Sequence, residues 1–246
     1  GATGPGTTMP STTGPEPVPE ALLQILRQGT MAESLAFMQA WQERSRLDFT
    51  TCVEVIYIPV LRLIGSLWHQ GRLSVAEEHH LSATIRELAI HHASLVQART
   101  PQTAHVGPDK RWMGLCAPGE RHDLPLLFNS LDLRLKGWTT WYLGTQVPLP
   151  DLVHAIGEHE PRVLAVSVTI AEHLEGLYPY MRELRSQGGP RPACILGLGA
   201  GVHPGPELLS LFDCHVHSVA DGSLEAERLV RINTWHDLER EGQYGH

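Results

Sequence analysis

The residues best suited to chemistry in this chain are histidines in two settings. In the first, Glu120-x-His122 follows a short apolar segment, Arg111–Cys116. At that spacing the Glu120 carboxylate can accept one imidazole N–H and raise the basicity of the other nitrogen toward a metal. Ala117-Pro118-Gly119 precedes the pair and Asp123 follows it. Two more loops belong with this one: Ser167-x-Thr169, and Gly197-Leu198-Gly199-Ala200-Gly201. Gly199 and Gly201 permit close backbone approach to a flat or bulky ligand. No GxGxxG follows the Arg111–Cys116 segment and no P-loop occurs, which argues against a dinucleotide or a P-loop phosphate site. The second setting is Trp68-His69, a tight turn, then Glu78-His79: an aromatic wall, two imidazoles and a carboxylate. Imidazole suits metal ligation, proton transfer or a pH switch.

The elements that must position these residues fall into two halves. The first is helical. A helix through Leu22, Leu23 and Leu26 ends at Gly29. Thr30 and Glu33 form a capping box for a second helix through Leu35, Met38 and Trp41. Val53, Ile56, Tyr57, Val60, Leu61, Ile64, Leu67 and Trp68 recur on one face of a third helix, with Pro59 predicting a kink. Gly71 suits a left-handed helix end, and Ser74 with Glu77 caps a fourth helix through Leu81, Ile85, Leu88, His92 and Leu95. His92 on that stripe reads as a hydrogen-bonded core histidine. Four helices with short connections predict a four-helix bundle.

From Arg111 onward, strands and helices alternate. Strands are predicted at Arg111–Cys116, Thr139–Leu143, Val163–Val168, Ala193–Leu198 and Cys214–Val219, with a last helix at Leu224–Leu238. Five β-α units imply a parallel, doubly wound, flavodoxin- or Rossmann-like sheet, whose ligands lie beyond the carboxyl ends of its strands. His173, just after strand three, is placed to reach a ligand edge. His215 and His217 alternate on strand five, so they point the same way. The expected domains are a disordered tail over 1–19, a four-helix bundle over 20–99, a linker over 100–110 and a Rossmann-like domain over 111–240.

Composition narrows the partners. Nineteen Lys and Arg against 27 Asp and Glu leave a charge of −8, and only Lys110 and Lys136 are lysines. Direct nucleic-acid binding needs a basic face and is not expected. No membrane segment is expected either, since no apolar run approaches the roughly 20 residues that span a bilayer. Cys52, Cys116, Cys194 and Cys214 lack CxxC spacing, so buried thiols and a cytoplasmic setting are expected.

The domain order and the two histidine groups together resemble a known family. A four-helix bundle, a linker and a flavodoxin-like domain with Glu120-x-His122 are similar to the cobalamin-binding module of methionine synthase and its relatives. Trp68-His69 and Glu78-His79, eight residues apart, resemble the adenosylcobalamin-dependent photoreceptors of the CarH type. The resemblance covers about residues 20–240. It implies a light-sensing regulatory module rather than an enzyme, with adenosylcobalamin held base-off and His-on between the domains. His122 would be the lower cobalt ligand, supported by Glu120 and Asp123. Trp68, Glu78 and His79 would cover the adenosyl group. Ser167, Thr169, Gly197, Gly199 and Gly201 would line the pocket of the displaced tail. Light would break the cobalt–carbon bond, and His69 would take the vacated upper position. The module would form a homo-oligomer or bind an effector protein, and a second tetrapyrrole such as a bilin is a further cofactor some relatives suggest. This chain departs from the family at Pro125, where glycine is usual, at Thr169, where leucine is usual, and in having no helix-turn-helix segment. Two other readings stand beside this one: a corrinoid carrier in methyl transfer, and a non-cobalamin metal site built from the bundle histidines.

Overall fold

The fold follows from where apolar faces meet. The computed structural model describes residues 17–99, 109–187, 192–198 and 203–242. The predicted 1–19 tail and the 100–110 linker lie mostly outside these residues, as do Gly199 and Gly201. Helix α1 spans Val18–Gln28 and starts at Pro17, so Val18 and Pro19 belong to the bundle rather than to a tail. The fixed φ of proline suits a first helical turn. Helix α2 spans Met31–Ser45 and opens on the Thr30–Glu33 capping box. Helix α3 runs continuously over Phe49–His69. Helix α4 is Val75–Arg99, opened by reciprocal bonds between Ser74 and Glu77. Gly71 between α3 and α4 has φ +68°, and Arg72 N–H reaches back to the Leu67 carbonyl at 2.9 Å. That wrap is a Schellman-type helix end, which glycine adopts without a Cβ penalty.

Two expectations about α3 need correcting. Its irregularity is a π-helical turn at Val53–Tyr57, directly ahead of Pro59. Pro59 has no N–H to donate and its ring crowds the preceding turn, which a wider turn relieves. The helix is also long and apolar enough to cross a membrane by length and composition, with a mean hydropathy of 1.5 over its most apolar window. Here it is the central helix of the bundle: Val53, Ile56, Tyr57, Val60, Ile64 and Leu67 are buried in its core. Its Glu54 accepts the Ala220 N–H at 2.9 Å.

The second half is a five-stranded parallel sheet in the order β2-β1-β3-β4-β5. The strands are β1 Arg111–Cys116, β2 Thr139–Gly144, β3 Val163–Val168, β4 Ala193–Leu198 and β5 Cys214–Val216. Between them lie α5 Leu124–Leu135, α6 Leu149–His159, α7 Leu174–Ser186 after a 3-10 turn at Ala171–His173, and α8 Pro206–Leu209. The last helix, α9, spans Val219–Gly242. Strand five is therefore shorter and the last helix starts earlier than the pattern predicts. The reason is local: the Ser218 hydroxyl accepts the Asp221 N–H at 3.0 Å and caps the helix. The chain reverses direction across the sheet between β1 and β3, which puts the switch point, and its ligand crevice, at the carboxyl ends of those two strands.

Helix α5 joins the two halves. Leu124, Leu127, Phe128 and Leu131 enter the bundle core, where the Phe128 and Tyr57 rings lie 5.5 Å apart. Leu126 and Leu133 pack the other way, with Trp112, Cys116 and Val163. A helix covered on both sides must pair its polar residues, and α5 does. Asn129 donates to Ser223 at 2.9 Å, Ser130 to Thr140 at 3.1 Å, and Asp132 accepts from Thr50 and Lys136.

His92 is fully buried and satisfied at both nitrogens, as expected. Nε2 donates to Gln42 Oε1 at 2.8 Å, and Nδ1 accepts from the Tyr57 hydroxyl at 3.1 Å. Burial pushes its pKa down from 6.5 to about 4. The unfolded chain therefore takes up a proton at His92 near pH 6.5 that the folded chain refuses until about pH 4. Stability should fall over this window as pH drops, by on the order of 3 kcal/mol. Urea midpoints between pH 4.5 and 7.5 should slope accordingly, and the His92→Gln variant should lose that slope.

Candidate functional site

Glu120 organises the crevice at the switch point. After β1, the Ala117-Pro118-Gly119 turn closes with a bond from the Glu120 N–H to the Ala117 carbonyl at 3.0 Å. Gly119 has φ +83°, and a Cβ there would sit 3.2 Å from the His173 ring. Both the dihedral and the close approach require glycine. The turn drops the Glu120 side chain into the sheet edge, where it is 0% exposed.

Six donors surround that carboxylate. Oε1 accepts the backbone N–H groups of Arg121 and His122, each at 2.8 Å, and the His122 Nδ1–H at 2.6 Å. Oε2 accepts the N–H groups of Thr169 at 2.8 Å and Ile170 at 3.0 Å, and the His173 Nδ1–H at 3.1 Å. Burial alone would raise the acid's pKa. The bonds from His122, Thr169 and His173 overcome it and hold Glu120 well below the usual carboxylate range.

A carboxylate only accepts, so both imidazoles must donate through Nδ1. The lone pair of neutral His122 is thereby placed on Nε2, and the side chain is 56% exposed. The bond to Glu120 raises the His122 pKa; burial opposes this, and the charges of Glu120, Glu78 and Asp123 add to it. Glu78 belongs to α4, so the bundle tip and the His122 loop share one electrostatic environment.

The other predicted residues are distributed as follows. Ser167 is buried near the end of β3, paired with Cys116 and Gly197 across the sheet. The Thr169 hydroxyl is buried without a partner among the described residues. On the bundle, Trp68 is 43% exposed instead of continuing the core stripe, and its ring lies 4.9 Å from that of His69. His79 is exposed and pairs with Glu78, which also accepts from Ser82 at 2.8 Å. Asp123 turns away from the crevice, toward Arg86 of α4 and Tyr142 of β2. His173, expected at a ligand edge, instead holds the far oxygen of Glu120. The rings of His215 and His217 meet at 4.4 Å. Sequence patterns did not point to Arg86 or Tyr142. The only trace is an arginine beside the apolar stripe of α4, next to Ile85.

This donor set suits one axial metal bond rather than a protein cage. Among the described residues, no three His, Cys, Asp or Glu side chains group to hold a metal ion, so the site built from bundle histidines alone lacks its geometry. His122 offers one oriented imidazole nitrogen, as cobalt(III) in a corrin accepts. Trp68 offers an exposed ring for an apolar or aromatic group.

Comparisons with known proteins bear on this arrangement. Residues 18–89 match the B12 binding domain family. The chain is 31% identical over 150 residues to the HTH-type transcriptional repressor CarH of Myxococcus xanthus, which is 60% of this chain and 47% of that protein. It is 31% identical over 157 residues to the repressor CarA of the same organism, covering 64% and 50%. The chain thus spans about half the length of these curated relatives. In fold it is similar to the monomethylamine corrinoid protein of Methanosarcina barkeri, with a TM-score of 0.63 at 14% identity over 84% of this chain and 95% of that one.

If Glu120 orients His122, Glu120→Gln should act on both the fold and the ring. The amide places an NH2 among donors, so stability should drop by on the order of 3 kcal/mol. The His122 pKa should fall from its raised value, because its largest raising partner is gone while burial remains. An NMR titration of the ring reads the second effect. The depressed Glu120 pKa also means that its contribution is present above pH 4.5 and is lost only as pH falls further, through the folded value.

Proposed function

We propose that this chain, whose helices carry a B12-binding domain of CarH-like sequence, is a light-responsive regulatory module. It holds adenosylcobalamin between bundle and sheet domain, with His122 as the lower axial ligand. The observation that carries the reading is the fixed tautomer of His122: Glu120 occupies Nδ1 at 2.6 Å and leaves the lone pair on Nε2. Bound adenosylcobalamin supplies a light-labile cobalt–carbon bond.

The residues of the chain divide the remaining work. Glu120 keeps His122 oriented and basic, and its own bonds to Thr169, Ile170 and His173 tie the β1 and β3 loops together. Ser167, Thr169 and Gly197 form the sheet side of the tail pocket in this reading. Trp68, Glu78 and His79 form the bundle side, where an exposed indole excludes water from the upper group. His69, whose ring tilts against that of Trp68 at 4.9 Å, is the second imidazole, available in the illuminated state. A change of partner between the two states gives each one different contacts, which a switch requires. The output is a change in self-association or in binding to an effector protein, and the −8 charge disfavours direct nucleic-acid contact by this chain.

Reconstitution with adenosylcobalamin in the dark, followed by illumination, tests this reading. The full chain should bind stoichiometrically with an absorption spectrum typical of histidine ligation, and the spectrum should change irreversibly in light. His122→Ala should lose the histidine-ligated dark spectrum and weaken binding at least about tenfold, as loss of a metal ligand or its support does. His69→Ala should bind normally in the dark yet give a different illuminated spectrum. Binding of methylcobalamin in preference to adenosylcobalamin, with no light-dependent change in assembly, would support the corrinoid-carrier reading instead.

A further inference from the structure

Asp123 is an acid at the N-cap of a helix that does not cap it. It precedes Leu124, has φ −92° and ψ −6°, and makes no side-chain bond to the first turn of α5. Aspartate at this position ordinarily accepts an N–H two or three residues on, which stabilises the helix. Here both oxygens are committed elsewhere. Oδ1 accepts from Arg86 Nη2 on α4, and Oδ2 accepts from the Tyr142 hydroxyl on β2. Arg86 and Tyr142, from two different elements, thus meet on one carboxylate.

These three side chains sit in the seam between the domains. The side chains of Arg86 and Asp123 retain 36% and 17% exposure. Exposed ion pairs contribute little, but a half-buried carboxylate with a charged donor on one oxygen and a hydroxyl on the other is a charge-assisted network. Burial works against the charge of Arg86, and the neighbouring Tyr142 and Asp123 outweigh that and raise its pKa. The helix gives up its cap, and the bond formed in its place runs to the other domain. A conflict between local preference and observed geometry marks a position with a further role.

We propose that Asp123 is the pivot of an interdomain latch, with Arg86 and Tyr142 as positioning residues that act through it on the His122 loop. Arg86 lies eight residues after Glu78 on the same helix, about 12 Å along its axis. Displacement of α4 at its tip, where Glu78 and His79 stand, must therefore strain or break the Arg86–Asp123 pair. Asp123 is bonded in sequence to His122, so the position of the bundle and the setting of that histidine are coupled through one carboxylate. Tyr142 anchors the same carboxylate to β2, which keeps the loop on the sheet when the pair with Arg86 opens.

The ligand-free full chain tests this, so the outcome is separate from that of the cobalamin reading. Arg86→Met keeps the length and removes the charge; Tyr142→Phe keeps the ring and removes the hydroxyl. Amide hydrogen exchange over residues 121–127 should accelerate about tenfold or more in Arg86→Met and less in Tyr142→Phe, with exchange over β3 unchanged as a check on the fold. The His122 ring 15N shifts should move in both variants. Arg86→Lys should restore part of the protection. In Asp123→Asn, adding Arg86→Met should change nothing further, because the pivot is already lost. Wild-type exchange and His122 shifts in Tyr142→Phe and Arg86→Met would overturn the latch, as would additive effects in the Asp123→Asn background.

Discussion

The site depends on one buried charge. A carboxylate taken out of water is costly unless donors surround it, and Glu120 collects six from two loops. These bonds do three things at once. They keep the acid ionised, they tie the loop after β1 to the loop after β3, and they decide which nitrogen of His122 carries the hydrogen. Gly119 is the backbone condition for this, since no other residue enters the turn at φ +83° with the His173 ring so near. The parallel sheet matters chiefly because its order places those two loops side by side at the switch point.

The bundle and the sheet domain are one folded unit in energetic terms. Helix α5 contributes Leu124, Leu127, Phe128 and Leu131 to the bundle and Leu126 and Leu133 to the sheet. Apolar burial supplies the adhesion, while polar ties set the register: Thr50 and Lys136 on Asp132, Glu54 on the Ala220 N–H, and Arg86 and Tyr142 on Asp123. An apolar seam alone tolerates sliding, whereas directional bonds at its ends select one arrangement. That division of labour is compatible with the proposed shared ligand between the two halves.

Local signals in the sequence were sufficient wherever the determinant was local. The two capping boxes, the left-handed Gly71 and the strand run Val163–Val168 are each set by a few neighbouring residues, and the structure has them where the pattern puts them. The Glu120–His122 bond was legible for the same reason, as both partners lie in one turn. Failures occurred where neighbours could not decide. The side-chain partners of Asp123 are one such case, since Arg86 and Tyr142 lie 37 and 19 residues away. Trp68 lies on an apolar period, and only its packing decides that 43% of it stays exposed.

By itself the sequence determined the periods of the elements, their caps, the order of the two domains and the tautomeric logic of Glu120 beside His122. All of these follow from bonds spanning a few residues. Only the tertiary structure decided that Glu120 has a second imidazole in His173, that Glu78 shares the electrostatic environment of His122, and that Asp123 faces the bundle instead of the crevice. Those outcomes depend on which distant surfaces meet when apolar area is buried. That meeting is a property of the whole packed chain, because each contact joins segments whose separation along the sequence carries no information about their distance in space.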